Sequence, residues 1–334
     1  MDDGLHGRRD HRGNWRPFAP IAYPPVFVWP VRPLGILKWL PGYYLSWNAL
    51  YALIAVLVWL FLTPPLDAIG RLDPATIVFI FARNVVLTLV FFGAWHLRLY
   101  IQKAQGTAFK FNVKWPERDK RIFLFGSQTA ENLFWTFASG LPIWTAYEVL
   151  TLYAFANGWI PYLSFQDHPW WFVVVMLAVP LFREIHFYAV HRLIHWPPLY
   201  RAVHKLHHKN VNPSPWSGLA MHPGEHLLYF SAVLIHWVVP SHPVHALFNL
   251  IHLGLAPAPG HAGFDKVVLG ESRAIDTHCY AHYLHHKHFR CNYADGAIPL
   301  DKWFGSFHDG SDAAHEAMSI RLRTKSTGAR EAQA

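Results

Sequence analysis

Cysteine is scarce: Cys279 and Cys291 are the only two in 334 residues. A disulfide scaffold, an iron–sulfur cluster and a thiolate zinc module each need more thiols, so any metal must be held by histidine or carboxylate. Charge is scarce too, at 15% of residues, against 52% apolar residues, 16% aromatics and 16 Trp. This balance excludes an ordinary soluble domain and points to a membrane protein. No dinucleotide glycine fingerprint, flavin site or ferredoxin cysteine set is present, so a redox reaction would draw electrons from outside the chain. The formal charge of +8 comes without a Lys/Arg stripe. That argues against a nucleic-acid partner, and the bases instead flank apolar runs, as topology signals do. Residues 1–20 are polar, with Arg8, Arg9, Arg12 and Arg16, and lack the apolar core of a signal peptide. They read as a disordered start to a polar, Pro-rich arm over 1–40.

Long apolar runs are plentiful. Ser46 to Thr63 is an uncharged first span, Ala75 to Leu97 a second with only Arg83, and Asn132 to Asn157 a third with only Glu148. The two lone charges are expected to pair inside the bundle. A fourth span starts at Pro169 and runs on through Arg183 and Glu184 to His195. At 1.5 Å per residue its 27 residues reach about 40 Å, enough to project from the hydrocarbon. The reading is an all-α integral membrane bundle of about four spans. It divides into an arm (1–40), a three-span region (41–168), a fourth span with a histidine-rich catalytic cap (169–315) and a disordered tail (316–334). Bases cluster at the N-terminus and between Arg98 and Arg121, while the loops around Arg71 and Asp167 carry almost none. The positive-inside bias therefore places the N-terminus and the histidine-rich half in the cytosol. Leu227 to Pro240 and Val244 to Ala256 are too short to span; they predict a helical hairpin embedded in the membrane, roofing a lipid pocket.

Histidine is in excess: 24 residues, 20 of them between His186 and His315. Three clusters have ligand spacing, His191-x3-His195, His204-x2-His207-His208 and His282-x2-His285-His286. Residues three or four apart on a helix share a face, so each cluster aims two or three imidazoles in one direction. His278 extends the third cluster backwards on the same stripe. A lone His on an apolar face is ordinarily a hydrogen-bonded core residue, and that bland reading serves for His186, His236, His242, His245 and His252. Three boxes within 96 residues call for coordination. Eight imidazoles exceed what one tetrahedral zinc can use, which suggests two metals. Imidazole alone suits Fe, Zn, Cu or Ni. A metal pair at a membrane surface, beside an apolar pocket, suits O2-dependent attack on a lipid C–H bond, and that needs a redox metal, iron. Asp276, Asn292 and Asp301 are candidates to orient the ligands.

Two other readings compete. His222-Pro-Gly-Glu225-His226 matches the H-x-x-E-H pattern of zinc hydrolases, although Pro223-Gly224 works against the helix that pattern requires. A metal transporter or sensor would distribute its ligands through the depth of the spans, whereas the boxes follow the fourth.

The run HRLIH…HKLHH…HYLHH resembles the three-box pattern of the membrane sterol desaturase and fatty acid hydroxylase superfamily. Phe187-Tyr188 before the first box, SGLAMHPGEH after the second and CNYADGAIPLDKWFGSF after the third support the likeness over about 170–310. Ala294 and Ser306 stand where that family has Gly and Thr. The resemblance implies two non-haem irons held by His191, His195, His204, His207, His208, His282, His285 and His286, with His222, His261 and His278 as further candidates. It also implies O2 as co-substrate, a lipid substrate, and a separate reductase, cytochrome b5-like or ferredoxin-like electron donor. The membrane would be a bacterial inner membrane or the endoplasmic reticulum.

Overall fold

The computed structural model describes residues 1–331. It is a bundle of long helices carrying a histidine-rich cap at one end. Among the described residues, three helices are long and apolar enough to cross a membrane: α1 (Pro33–Phe61), α2 (Pro74–Ile101) and α4 (Pro169–Ile194). Sequence sets their starts. Pro occupies the first turn of each, where its missing N–H costs no hydrogen bond. Asp73 caps α2 by accepting from the Thr76 N–H at 2.9 Å.

The expected third span lies in a continuous helix over 128–156 (α3), which is not among those three. Its partners explain why. Leu141, Trp144, Thr145, Glu148, Thr151 and Phe155 are buried against other helices, so α3 carries polar residues that lipid would not tolerate. Arg83 and Glu148 form the expected ion pair, joined by Asn84, which donates to Glu148 at 3.0 Å. The path of α3 still runs the length of the bundle. Gln128 and Asn132 at its start bond Asn210 beside the second histidine box. Asn157 just past its end donates to the Gly70 carbonyl in the opposite loop.

The predicted hairpin is also present, in a different role. α5 (Pro223–Phe230) continues as a 3₁₀ turn (Ser231–Trp237), and α6 (Pro243–Leu255) returns. All 13 residues of α6 are buried, so it is the centre of the bundle and not an element dipping into lipid on its own. A Cβ at Gly254 would lie 2.2 Å from the Trp144 ring, so glycine is what lets α6 approach α3. The hairpin tip reaches the far end, where Trp171 donates to the Pro240 carbonyl and Leu163 N–H to Ser241.

Both expected disordered ends are ordered within the described residues. The strands β1 (Gly7–Arg9) and β2 (Trp15–Pro17) pair antiparallel. Trp15 is 2% exposed, packed on Phe109 and Phe111, and Arg16 grips Asp312 with two hydrogen bonds. The arm's expected end at residue 40 falls inside α1. A helix, Asp312–Glu331, occupies most of the expected tail, and 332–334 lie outside the described residues. The N-terminus, the basic segment after α2 and the histidine-rich half thus assemble into one cap. A second antiparallel pair, β3 (Lys266–Val268) and β4 (Ala274–Asp276), precedes the helix of the third box, α7 (Tyr280–His288).

Candidate metal centre

The first box lies at the cap end of α4, with His191 in its last turn and His195 as the C-cap residue. The second occupies a π turn (Tyr200–His204) and a 3₁₀ turn (His207–Lys209). The third lies on α7, which Phe289 ends with φ of 65°. These elements bring nine imidazoles together in two groups. His191, His195, His204, His208 and His285 form one; His207, His261, His282 and His286 form the other. All eight box histidines are therefore included, and of the three further candidates only His261 joins them.

The ring nitrogens face each other. In the first group the Nε2 atoms of His195, His204, His208 and His285 are 3.1–3.2 Å apart along their contacts. In the second, His261 Nε2 lies 2.9 Å from His282, 3.2 Å from His286 and 3.3 Å from His207. Protons at Nε2 cannot account for every one of these contacts. His191 Nδ1 donates to the Tyr293 carbonyl at 2.7 Å, His285 Nδ1 to Cys291 at 2.7 Å and His261 Nδ1 to Pro257 at 3.0 Å. His204 Nδ1 donates to Glu225 at 2.7 Å and His207 Nδ1 to Ala220 at 3.4 Å. An imidazole whose proton is held at Nδ1 offers only a lone pair at Nε2. The lone pairs of His207 and His261 thus face one another at 3.3 Å, an arrangement that a cation between them relieves. Two nitrogens each about 2.1 Å from one ion are about 3.0 Å apart at a right angle and about 3.4 Å apart at a tetrahedral one. The observed spacing and the five donors of the first group therefore fit a metal of coordination number above four.

The electrostatics match. Burial, reinforced by neighbouring imidazoles, holds His204, His207, His208, His282, His285 and His286 well below the ordinary imidazole range. The same causes bring His195 to about 2, and burial brings His261 to about 4. The rings are neutral, as ligation requires.

Other predicted residues take different places. His278 precedes α7 with φ of 54°, which takes it off the helical stripe; its side chain is 70% exposed and pairs with Asp276. His222 caps α5 by accepting the Gly224 N–H at Nδ1. The zinc hydrolase geometry does not form. His226 spends both ring nitrogens on Ser139 and the Leu219 carbonyl, and Glu225 is committed to His204. Glu225 is the orienting carboxylate that the sequence concealed inside the hydrolase-like string. Asp276 binds Lys266, and Asn292 ties His308 to the Ala281 carbonyl, so neither orients a ligand. Asp301 acts through the backbone: it accepts from Tyr293 N–H, Ala294 N–H and Ser306, and so fixes the carbonyl that His191 bonds. A third group, His288, His308 and His315, lies elsewhere in the cap. There His308 Nδ1 accepts the Gly310 N–H, which leaves its proton on Nε2.

The fatty acid hydroxylase family profile matches residues 172–306, which contain every one of the nine histidines. A delta(7)-sterol 5(6)-desaturase of Gibberella zeae is 29% identical over 168 residues, 48% of this chain and 50% of that protein. One from Aspergillus fumigatus is 28% identical over 188 residues, 49% of this chain and 58% of the relative. The Saccharomyces cerevisiae enzyme of the same name is 30% identical over 134 residues, covering 40% and 35%. Over residues 172–306 the chain is similar to the fatty acid hydroxylase family. It spans about half the length of the first two of these curated relatives, and no solved structure matches it.

The histidines open on a cavity of about 910 Å³ between α1, α4, α6 and the cap. His191, His204, His207, His261 and His282 line one part of it. Trp47, Tyr51, Phe187 and Tyr229 supply aromatic walls, and the arm residues from Pro17 to Pro24 lie across another side.

Proposed function

We propose that the protein is a membrane-bound non-haem di-iron oxygenase that hydroxylates or desaturates a C–H bond of a lipid. The observation that carries this reading is the opening of two neutral, multi-histidine groups onto one large, mostly apolar cavity among membrane helices. His191, His195, His204, His208 and His285 would hold one iron, and His207, His261, His282 and His286 the other. The bound iron pair supplies O2 activation and hydrogen abstraction from carbon, chemistry that no side chain of this composition provides. One O2, two electrons and two protons turn C–H into C–OH and one water, or CH–CH into C=C and two waters.

The chain's own task is placement. Glu225 holds the proton on His204 Nδ1, and the carbonyls of Tyr293 and Cys291 do the same for His191 and His285, so the ligand lone pairs point inward before any ion arrives. The aromatic walls bind an apolar substrate and exclude water from the reacting carbon. The relatives' names favour a sterol-like lipid. A separate reductase, cytochrome b5-like or ferredoxin-like protein supplies electrons, and the positive-inside bias puts the site on the cytosolic face. Protein purified with its metals is expected to contain about two irons per chain and to give a lipid product one oxygen heavier or two hydrogens lighter, dependent on O2 and reductant. Full activity of an iron-free form would sink the proposal.

A further inference from the structure

The histidines occupy one part of the cavity. The lining also carries three polar groups that nothing among the described residues satisfies. The Tyr51 hydroxyl, Arg183 Nε and His252 Nδ1 are buried, have no hydrogen-bond partner and belong to residues that line the cavity. They come from α1, α4 and α6, three separate elements, and the Tyr51 and His252 rings are 4.7 Å apart. Unsatisfied groups of this kind are uncommon in a folded interior and mark a place where a polar partner is missing.

Their donor and acceptor characters are fixed by their surroundings. Both terminal nitrogens of Arg183 are engaged by Asp295, at 2.8 and 3.2 Å, which leaves the Nε–H as a pinned donor. Asn48 gives its amide N–H to the Tyr43 carbonyl, so its oxygen faces His252 and accepts the Nε2–H at 2.9 Å. His252 Nδ1 is therefore an acceptor. The Tyr51 hydroxyl serves as either. One donor, one acceptor and one group of both kinds complement a hydroxyl, which both gives and takes a hydrogen bond. A carboxylate only accepts and would leave His252 Nδ1 facing a negative oxygen; a hydrocarbon would satisfy none of the three.

We propose that Tyr51, Arg183 and His252 form the recognition site for a hydroxyl group of the lipid substrate, an inference that rests on the oxygenase reading above. Arg183 and His191 are eight residues apart on α4, about 12 Å along the axis. The fitting substrate is a lipid with a hydroxyl group, not one that ends in a carboxylate.

The test is equilibrium binding of three probes to the iron-loaded protein in detergent: a delta(7)-sterol with a free 3-hydroxyl, its 3-deoxy counterpart and a long-chain fatty acid. Iron content and product are followed on the same preparations. The hydroxy sterol is expected to bind about tenfold or more tighter than either competitor. Tyr51→Phe should erase most of that preference while leaving the weak binding of the deoxy sterol unchanged. Wild-type binding of hydroxy and deoxy sterols within twofold of each other, or no binding of the hydroxy sterol, overturns the recognition site. That comparison needs no variant to fold. If the wild-type protein shows no preference yet oxidises the sterol, the oxygenase reading survives alone. If it shows the preference but oxidises no lipid when supplied with iron, O2 and reductant, the recognition site stands and the oxygenase reading falls.

Discussion

The two histidine groups differ in how firmly the protein holds them. In the five-membered group, three rings have Nδ1 pinned by short bonds to Tyr293, Cys291 and Glu225, the last a charge-capable partner. In the four-membered group only His261 has a good acceptor, His207 reaches Ala220 at 3.4 Å, and two of its four rings, His282 and His286, have buried Nδ1 atoms without a partner among the described residues, against one of five, His208, in the first group. Orienting partners set both the tautomer and the basicity of a ligand. The first group is thus organised before an ion arrives, while the second is completed by the ion itself. Binding of the two irons should accordingly be unequal.

The largest break in that comparison comes from the ligands. His285→Ala should lose the tighter iron and lower product formation by about 100-fold or more, whereas His282→Ala should lose the weaker iron and keep the tighter one; metal analysis after gel filtration separates the two outcomes. Next is Glu225. Its removal as Glu225→Ala should weaken the five-membered group's iron by about 10- to 100-fold, while Glu225→Gln, which keeps an acceptor oxygen, should lose less. Chelator titration reads both, and equal loss from the two groups would contradict the assignment.

Asp301→Ala tests a longer chain of contacts. It removes the acceptor of Tyr293 N–H, Ala294 N–H and Ser306 and so loosens the carbonyl that holds His191. A fall in stability of about 1–3 kcal/mol is expected, larger than the loss of activity in protein that stays folded. Thermal unfolding in detergent and turnover together separate these effects.

The smallest effect concerns the strand pair beneath the cavity. Burial, with help from Asp276, raises Asp265 to about 6. Between its unfolded value near 3.8 and that figure the folded protein binds more protons than the unfolded one, so stability falls as pH rises through this window. Asp265→Asn should flatten that slope between about pH 4 and 6. An unchanged pH profile of unfolding would show that Asp265 is not responsible.

The boxes were legible in the sequence because ligand spacing is a local property: His191 and His195 need only one helix, and so do His282, His285 and His286. Apolar length likewise found three of the four expected spans, and the lone charges Arg83 and Glu148 announced their pairing. What escaped depends on distant partners. The arm is ordered by Phe109, Phe111 and Asp312, far along the chain from Trp15 and Arg16. α6 reads as a short membrane hairpin because periodicity does not say whether lipid or protein covers an apolar helix. His278 was misread because the helix starts two residues later, after a left-handed turn. Glu225 was visible, but its neighbours His222 and His226 suggested a different chemistry, and only the 2.7 Å contact with His204 assigns it.

The account stands most directly on metal stoichiometry measured during stepwise chelation of the purified protein. It predicts about two irons per chain released in two separated steps, the first absent in His282→Ala and the second in His285→Ala. A single iron per chain, or one step that both substitutions abolish alike, would contradict it.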